Sequence, residues 1–555
     1  MNDSKRLILA LALSGILLVI YQGLFLPKQA PPDKAPATSQ PAPGQTAPQK
    51  AAAPGAPAAP ASPPAVAPPP AATAAPAQDA RRITVENAVA RLFFNEKGGG
   101  LSRVMLKKYF NQPGQKGGEY VLLDLKAADP IALGLNLPQL DPNLSARHFK
   151  ADRDSLSVTG AGGEGALSFT AESAGVKVVR TYRFSPDSYA FELTTTLTNQ
   201  SGRNLELTPE ISLVERKRPH ENAYAFTGLE IWRDGSLVEK DVSDLEKNPV
   251  ETGTVSWMTL NVPYFMGAVV PISGAAGAKR SVRGHSNQEI MSSTMVEPPV
   301  NLPPGQSATL KHLIFYGPRD LKILEPLGHE LAAAVDFGWF DVVAKPMLAA
   351  LNFIEKYLGN YGVGIIIITI FTKILFFPLA QKSYKSMKAM QKLQPQVMKL
   401  RERYKDDKQR MNQEMMQLYR TYKVNPMGGC LPMVVQIPVF IAFYKVLGAS
   451  IELRHAPFLL WINDLSVPDR LFPDLGIPYV GGLPVLTLLM GASMFIQQKM
   501  TPTPGDPAQA KIMLLMPVVF TFMFINFPSG LVLYWLVNNV LSIGQQYWTN
   551  KMKKA

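Results

Sequence analysis

Lys373 stands inside the apolar run GVGIIIITIFTKILFFPLA, residues 362–380. An ammonium at membrane depth costs about 2.5–3.5 kcal/mol at the centre of a helix, so such a residue marks a functional site by default. The alternative is snorkelling. Lys373 precedes Ala380 by seven residues, which puts it roughly 10 Å below that end of a helical span. That is about twice the climb a lysine stem makes toward the headgroups. No Asp or Glu occurs in any apolar span of the chain, so no carboxylate is available inside the membrane to pair with it. Thr369, one turn earlier, shares the face of Lys373. A hydroxyl and an ammonium on one face point to a wetted cavity rather than a dry span.

The chemistry open to such a site is attraction and release, not bond making. The apolar spans also hold Gln436, Thr487, Ser493, Thr521, Asn526, Asn538, Asn539, Ser542, Gln545 and Gln546. The commoner role of such groups is to hydrogen-bond one helix to another. A proton relay would need carboxylates or histidines in the spans, and the sequence has neither there. Cys430 is the single cysteine, which excludes an intrachain disulfide, and no C-x-x-C, H-E-x-x-H or P-loop pattern occurs. His148, His220, His285 and His312 lack metal-ligand spacing. We therefore expect no catalytic residues, no metal and no cofactor.

The elements that must position Lys373 follow from a composition that is uneven along the chain. The 555 residues carry a net charge of +13 and are 46% hydrophobic. Lys5 and Arg6 precede an apolar stretch from Leu7 to Leu26, long enough to span a bilayer and lacking a small-x-small cleavage site after it. Residues 1–26 therefore read as an uncleaved anchor with a cytoplasmic N-terminus. Residues 27–82 are dominated by Pro and Ala and read as an extended, disordered tether. From 83 to 320 the chain breaks into short segments punctuated by Gly, Pro, Asn and Asp, such as the GGG at 98–100. Phe191, Leu193 and Leu197 alternate with Glu192, Thr194, Thr196 and Thr198, the period of a half-buried strand. This region reads as a large antiparallel β-sandwich on the extracytoplasmic side.

Residues 321–360 are helical in composition, with Phe337, Trp339 and Phe340 among scattered charges. They fit an interfacial amphipathic helix at the outer leaflet, or a helix packed on the sandwich. Five further spans follow at 361–380, 429–450, 482–498, 511–527 and 530–548, joined by segments 381–428, 451–481 and 499–510 and closed by a tail, 549–555. The expected fold class is thus a multi-pass α-helical membrane protein with six spans and a large extracytoplasmic β-sandwich. Loop charge sets its orientation. Residues 381–425 hold twelve Lys and Arg against four Asp and Glu, whereas 451–480 hold two against four. The positive-inside rule then puts both termini and segment 381–428 in the cytoplasm.

That basic segment carries two seams. Met390, Leu393, Val397, Leu400 and Tyr404 repeat at three and four, as do Met411, Met415, Leu418 and Tyr422, with a polar break at 405–408. The pattern predicts an antiparallel helical hairpin with a cationic exterior. Met387 and Met416 lie beside the seam and Lys388, Lys392, Arg401 and Arg403 outside it. Adaptable methionines and a cationic face suit a polypeptide, ribosomal RNA or anionic lipid heads. A solvated face that merely obeys the topology rule fits the same pattern.

The segments KVNPMGGCLPMVVQIPVF (423–440), APFLLWINDLS (456–466) and FPSGLVLYWLVNN (527–539) resemble the YidC-type membrane protein insertases of the YidC/Oxa/Alb family. The resemblance covers essentially the whole chain, in the Gram-negative arrangement. It implies localisation in the bacterial inner membrane with the sandwich in the periplasm. It also implies a five-helix insertase core enclosing a hydrophilic groove open to the cytoplasm and to lipid and closed to the periplasm. Nascent hydrophobic segments would slide in along Gly429 to Ala449 and Lys511 to Phe527. The family's groove cation falls on Lys373, where arginine is usual; lysine offers a point charge in place of a planar fork. Thr369, Gln436 and Trp535 fall on or beside the groove, Trp535 where tyrosine is usual. The implied partners are nascent membrane proteins, the Sec translocon with its accessory subunits, the ribosome at the hairpin and tail, and anionic lipid.

A physical mechanism stands beside the resemblance. A polar tail is costly to move through hydrocarbon, and a half-wet groove shortens the dry path. Lys373 holds acidic or polar residues transiently, and burial of the apolar segment drives it sideways into lipid. A transporter or channel using Lys373 as an anion site competes with this reading, but the five core spans show no inverted repeat. An enzyme acting through the sandwich on envelope sugars is the third class. It leaves the membrane cation and the basic hairpin unexplained.

Overall fold

The structure is a computed structural model that describes residues 81–160, 163–218, 225–273, 278–424, 431–473, 480–501 and 507–551. The expected anchor, most of the tether, His220, Cys430 and the end of the tail lie outside the described residues.

Alternation of apolar and polar residues builds the first part. Strand Ala190–Asn199 buries Phe191, Leu193, Thr195, Leu197 and Asn199 and leaves the intervening residues half-exposed. It pairs antiparallel with Val176–Phe184 on one side and Ser307–Pro318 on the other. These strands belong to a thirteen-stranded sheet, accompanied by a five-stranded and a two-stranded sheet. The five-stranded sheet lays Phe94 on the larger one, against Phe169, Tyr182, Phe184 and Phe191 at centroid distances of 4.6–6.4 Å. The sheets are not purely antiparallel, because Arg82–Glu86 pairs in parallel with Ser155–Ser157.

Where the two sheets meet, Arg180 is fully buried. It donates to the carbonyls of Gly98 and Gly99 at 3.0 and 3.2 Å and to that of Leu133. Tyr182 donates its hydroxyl to Gly99 at 2.7 Å. Burial holds the guanidinium below its ordinary pKa. Gly99 has φ +56, and a Cβ there would crowd Cβ of Phe149 and of Phe169, so a side chain is both strained and tight. The GGG at 98–100 is thus a carbonyl-presenting turn that Arg180 clamps.

Segment 321–360 departs from the single helix expected of it. Only α1 (Asp341–Leu358) is a continuous helix; it is preceded by the single turn Leu321–Leu324 and three 3-10 turns. Positive φ at Gly328, His329, Glu330 and Gly338 breaks the earlier part, together with Pro326. Helix α1 buries Ala344, Met347, Leu348 and Leu351 and packs against the helices that follow. Its exposed side carries Val342, Phe353, Tyr357 and Leu358, with Trp339, 97% exposed, just before it.

Helix α2 (Tyr361–Arg403) begins with Asn360, whose side chain accepts from Val363 N. The expected span 361–380 and the first arm of the expected hairpin are one unbroken 43-residue helix. Pro378 and Pro395 lie within it. Each removes one ladder donor without ending the helix, and the packing of Met390, Leu393 and Val397 on α3 (Lys408–Thr421) carries the helix on.

Four more helices complete the chain: α4 (Leu431–Ala449), α5 (Val485–Met500), α6 (Pro507–Phe524) and α7 (Ser529–Lys551). Among the described residues only α2 is long and apolar enough to cross a membrane by length and composition, with shorter apolar stretches at Val434–Ala449 and Ile512–Phe524. At about 1.5 Å per residue, the 16 residues of α5 reach only ~24 Å. Helix α7 is long enough but is diluted by its amides. Helices α5 and α6 approach closely at Gly491, where a Cβ would collide with the Thr521 hydroxyl.

Residues 451–473 tie one end of these helices together. Asp469 accepts from Trp461 Nε1 at 2.6 Å and from Leu486 N in the first turn of α5. Arg470 donates to Ile525 O and Asn526 Oδ1 just past α6, at 2.8 and 2.9 Å. Ser529, opening α7, donates to Asp464 O at 2.8 Å. A carboxylate at a helix start and a guanidinium at a helix end both oppose the helix dipole favourably.

Candidate functional site

Lys373 sits on the α7-facing side of α2. Its Nζ donates to Ser542 Oγ at 2.8 Å, and Ser542 donates onward to Asn538 O at 2.7 Å. Gln436 of α4 donates through Nε2 to Asn538 Oδ1 at 2.6 Å and to the Tyr534 hydroxyl at 3.2 Å. Three helices thus meet in one hydrogen-bonded line from Lys373 through Ser542 and Asn538 to Gln436. Ser542 and Asn538 are buried, while Lys373 and Gln436 are half-buried. The partner of the Lys373 Nζ is thus a neutral hydroxyl.

The structure brings two of the four expected groove residues, Lys373 and Gln436, into this line. Thr369 is fully buried and spends its hydroxyl on Ile365 O at 2.6 Å, so it packs beneath the line instead of joining it. A threonine on a buried face back-bonds to its own helix when no other acceptor is in reach. Trp535 lies among aromatic rings, 5.2 Å from Phe440 and 5.8 Å from Phe524, with its indole N–H buried and unpartnered. It borders the polar line from the apolar side.

Ser542 and Asn538 belong to the site although their types alone give them only a helix-bridging role. The signal for them is spacing. Tyr534, Asn538, Ser542 and Gln546 recur every four residues, which draws a polar stripe along one slowly winding face of α7. Lys373 docks onto that stripe.

The hairpin residues occupy different surroundings. Met387, Lys388 and Arg401 are half-buried, and Lys388 and Arg401 both have interaction partners. Lys392, Arg403 and Met416 are exposed, with Arg403 5.7 Å over the ring of Tyr404. Gln396 donates to the Tyr422 hydroxyl at 3.2 Å across the hairpin. Of the histidines, His285 bonds Asn248 and His312 bonds Glu297, at 2.6 and 3.0 Å, and His148 is exposed.

A second junction joins the sheets to the helical part. Arg454 donates to Phe110 O at 2.8 Å and stacks 4.8 Å over Tyr120 and 5.5 Å over Phe265. Tyr120 and Phe265 are themselves stacked at 4.3 Å.

Two family models match the chain: one described as the YidC periplasmic domain over residues 82–350, the other as 60Kd inner membrane protein over residues 353–555. A protein named membrane protein insertase YidC from Citrifermentans bemidjiense is 44% identical over 478 residues, covering 85% of this chain and 86% of that protein. One of the same name from Syntrophus aciditrophicus is 43% identical over 563 residues and covers 99% of both. Among solved structures, an active YidC insertase with its first transmembrane domain resolved covers 85% of this chain and 93% of that chain, at 16% identity and a TM-score of 0.36.

Proposed function

The chain belongs to the YidC family of membrane protein insertases, and on that premise we propose that it inserts nascent inner-membrane proteins through a polar groove centred on Lys373. The observation that carries this reading is the line Lys373, Ser542, Asn538, Gln436 set among apolar helices. A membrane cation held by a hydroxyl, and not by a carboxylate, keeps its field available to a passing chain. An acidic or polar tail gains a partner there part-way across, which lowers the cost of leaving water. The apolar segment that follows then leaves into lipid, driven by burial of its surface. No bond is made or broken.

On this reading the chain crosses the inner membrane six times with both termini in the cytoplasm. Short helices such as α5 are accommodated by a locally thinned bilayer. The hairpin of α2 and α3 receives the ribosome and anionic lipid through Lys388, Lys392, Arg401 and Arg403, and Met387 and Met416 offer adaptable contacts to the emerging chain. The Sec translocon is the partner for larger substrates.

The test is depletion of the protein in cells while membrane insertion of a small energy-coupling subunit is followed. Complementation uses the full chain, a chain lacking most of residues 83–318, and the Lys373→Glu variant. Insertion restored by the first two and lost with the third is expected. Unimpaired insertion with Lys373→Glu sinks the groove.

A further inference from the structure

The loop that follows α4 holds two leucines outward. Residues 456–462, APFLLWI, contain no charged side chain. They form a turn in which Phe458 N donates to Ile462 O at 2.9 Å and Ile462 N donates to Leu459 O at 3.1 Å. Ala456 and Ile462 are buried at its base, whereas Leu459 and Leu460 at its tip are 57% and 86% exposed. Leu460 has φ +57, a left-handed conformation that is costly for a residue with a Cβ and persists only where the surroundings hold it.

The surroundings that hold this turn also fix its level. Asn360, which caps α2 by accepting from Val363 N, donates through Nδ2 to Phe458 O at 3.0 Å. Phe458 packs so closely on the first turn of α2 that a Cβ at Gly362 would collide with its ring. From the other side, Trp461 Nε1 donates to Asp469 Oδ1, and Asp469 also accepts from Leu486 N in the first turn of α5. The tip therefore stands beside the start of the helix that is long and apolar enough to cross a membrane. Tyr357 and Leu358, at the end of α1 and just before Asn360, are exposed as well.

An apolar tip at that level fits a bilayer surface, because leucine gains by leaving water. Arg454, the nearest arginine or lysine of the loop, is engaged with Phe110 O and the rings of Tyr120 and Phe265. The tip thus presents no cation that would select anionic headgroups. We propose that Leu459 and Leu460 enter the leaflet in which α2 begins, as a lipid contact beside α1 that sets the depth at which α2 and α5 start. This rests on the reading that α2 crosses the membrane. The partner is the acyl and glycerol region of a phospholipid, whatever its headgroup charge.

The full chain, with Cys430→Ser, is reconstituted into phosphatidylcholine vesicles with one nitroxide at a time on Leu460→Cys, Leu459→Cys, Phe371→Cys or Ser236→Cys. Phe371 of α2 is exposed and ten residues past Tyr361, about 15 Å into the span; Ser236 is an exposed site on the sheets. Depth is read from spin relaxation by oxygen, which concentrates in lipid, against relaxation by a neutral nickel chelate, which stays in water. The labels at 459 and 460 are expected to respond to oxygen and be shielded from nickel, at a depth shallower than 371, while 236 responds to nickel. Nickel access at 459 and 460 with 371 shielded overturns the lipid contact and leaves the span standing. Nickel access at 371 as well brings down the reading that α2 crosses. Shielding of the tip from both reagents means that protein covers it and also overturns the proposal; spin–spin broadening that dilution with unlabelled chain removes would then identify a second copy as the cover.

Discussion

Lys373 and Ser542, 169 positions apart, are joined by a 2.8 Å hydrogen bond between α2 and α7. The bond gives the intramembrane ammonium a neutral acceptor, and the expectations for this position follow from that. Lys373→Arg keeps the charge and should retain insertion of an acidic-tailed substrate. Lys373→Glu should abolish it. Ser542→Ala keeps the cation but frees its tether, and an intermediate loss of about two- to fivefold is expected. Insertion of the same substrate into vesicles measures all three, and a Ser542→Ala loss as deep as that of Lys373→Glu would contradict the order.

Arg180 satisfies three carbonyls where the sheets meet. Arg180→Leu takes this donor from the carbonyls of Gly98 and Leu133 and leaves that of Gly99 with the Tyr182 hydroxyl, and a loss of about 3–5 kcal/mol is expected. Thermal unfolding followed by aromatic fluorescence reads it. A variant within about 1 kcal/mol of the parent would mean that water replaces the guanidinium there.

Glu230 is fully buried, with Oε1 2.9 Å from Arg319 and Oε2 unpartnered. Burial pushes its pKa up to about 7, against the pull of Arg319 and with the help of Glu239 and Asp336. A folded-state pKa above the unfolded value means the folded state holds the proton more tightly. The stability it contributes is full below about pH 4.5 and is lost as pH rises toward 7, beyond which the curve levels. Melting temperature measured from pH 5 to pH 8 should fall through this window, and the fall should shrink in Glu230→Gln. Parallel curves for the two proteins would remove Glu230 as the cause.

Arg454 couples the helical part to the sheets through Phe110 O, Tyr120 and Phe265. Arg454→Leu should loosen that junction by about 1–3 kcal/mol. Combined with Tyr120→Leu, the losses should fall short of additive by at least ~0.5 kcal/mol, because both substitutions remove the same contact. Simple additivity in unfolding free energy would show that the two residues act apart.

The sequence by itself determined much of this protein, because the deciding physics is local. The alternation at 191–198 gave the strand Ala190–Asn199, and the three-and-four spacing of Met390, Leu393 and Val397 gave the buried face of the hairpin arm. The anomaly of Lys373 needed only its neighbours in the chain. Where local signals conflicted, they misled. Aromatic and helical composition around Phe337 and Trp339 hid a series of turns set by left-handed residues, and the expected division between residues 380 and 381 does not interrupt α2.

The tertiary structure alone decided which partner each polar group has. Thr369 and Lys373 share a face by spacing, yet one bonds its own helix and the other reaches α7. Hydrophobic periodicity reports which side of an element is buried, but not which distant element comes to lie against it. That choice is made by packing among helices far apart in sequence, and it gave the cation of α2 a hydroxyl on α7.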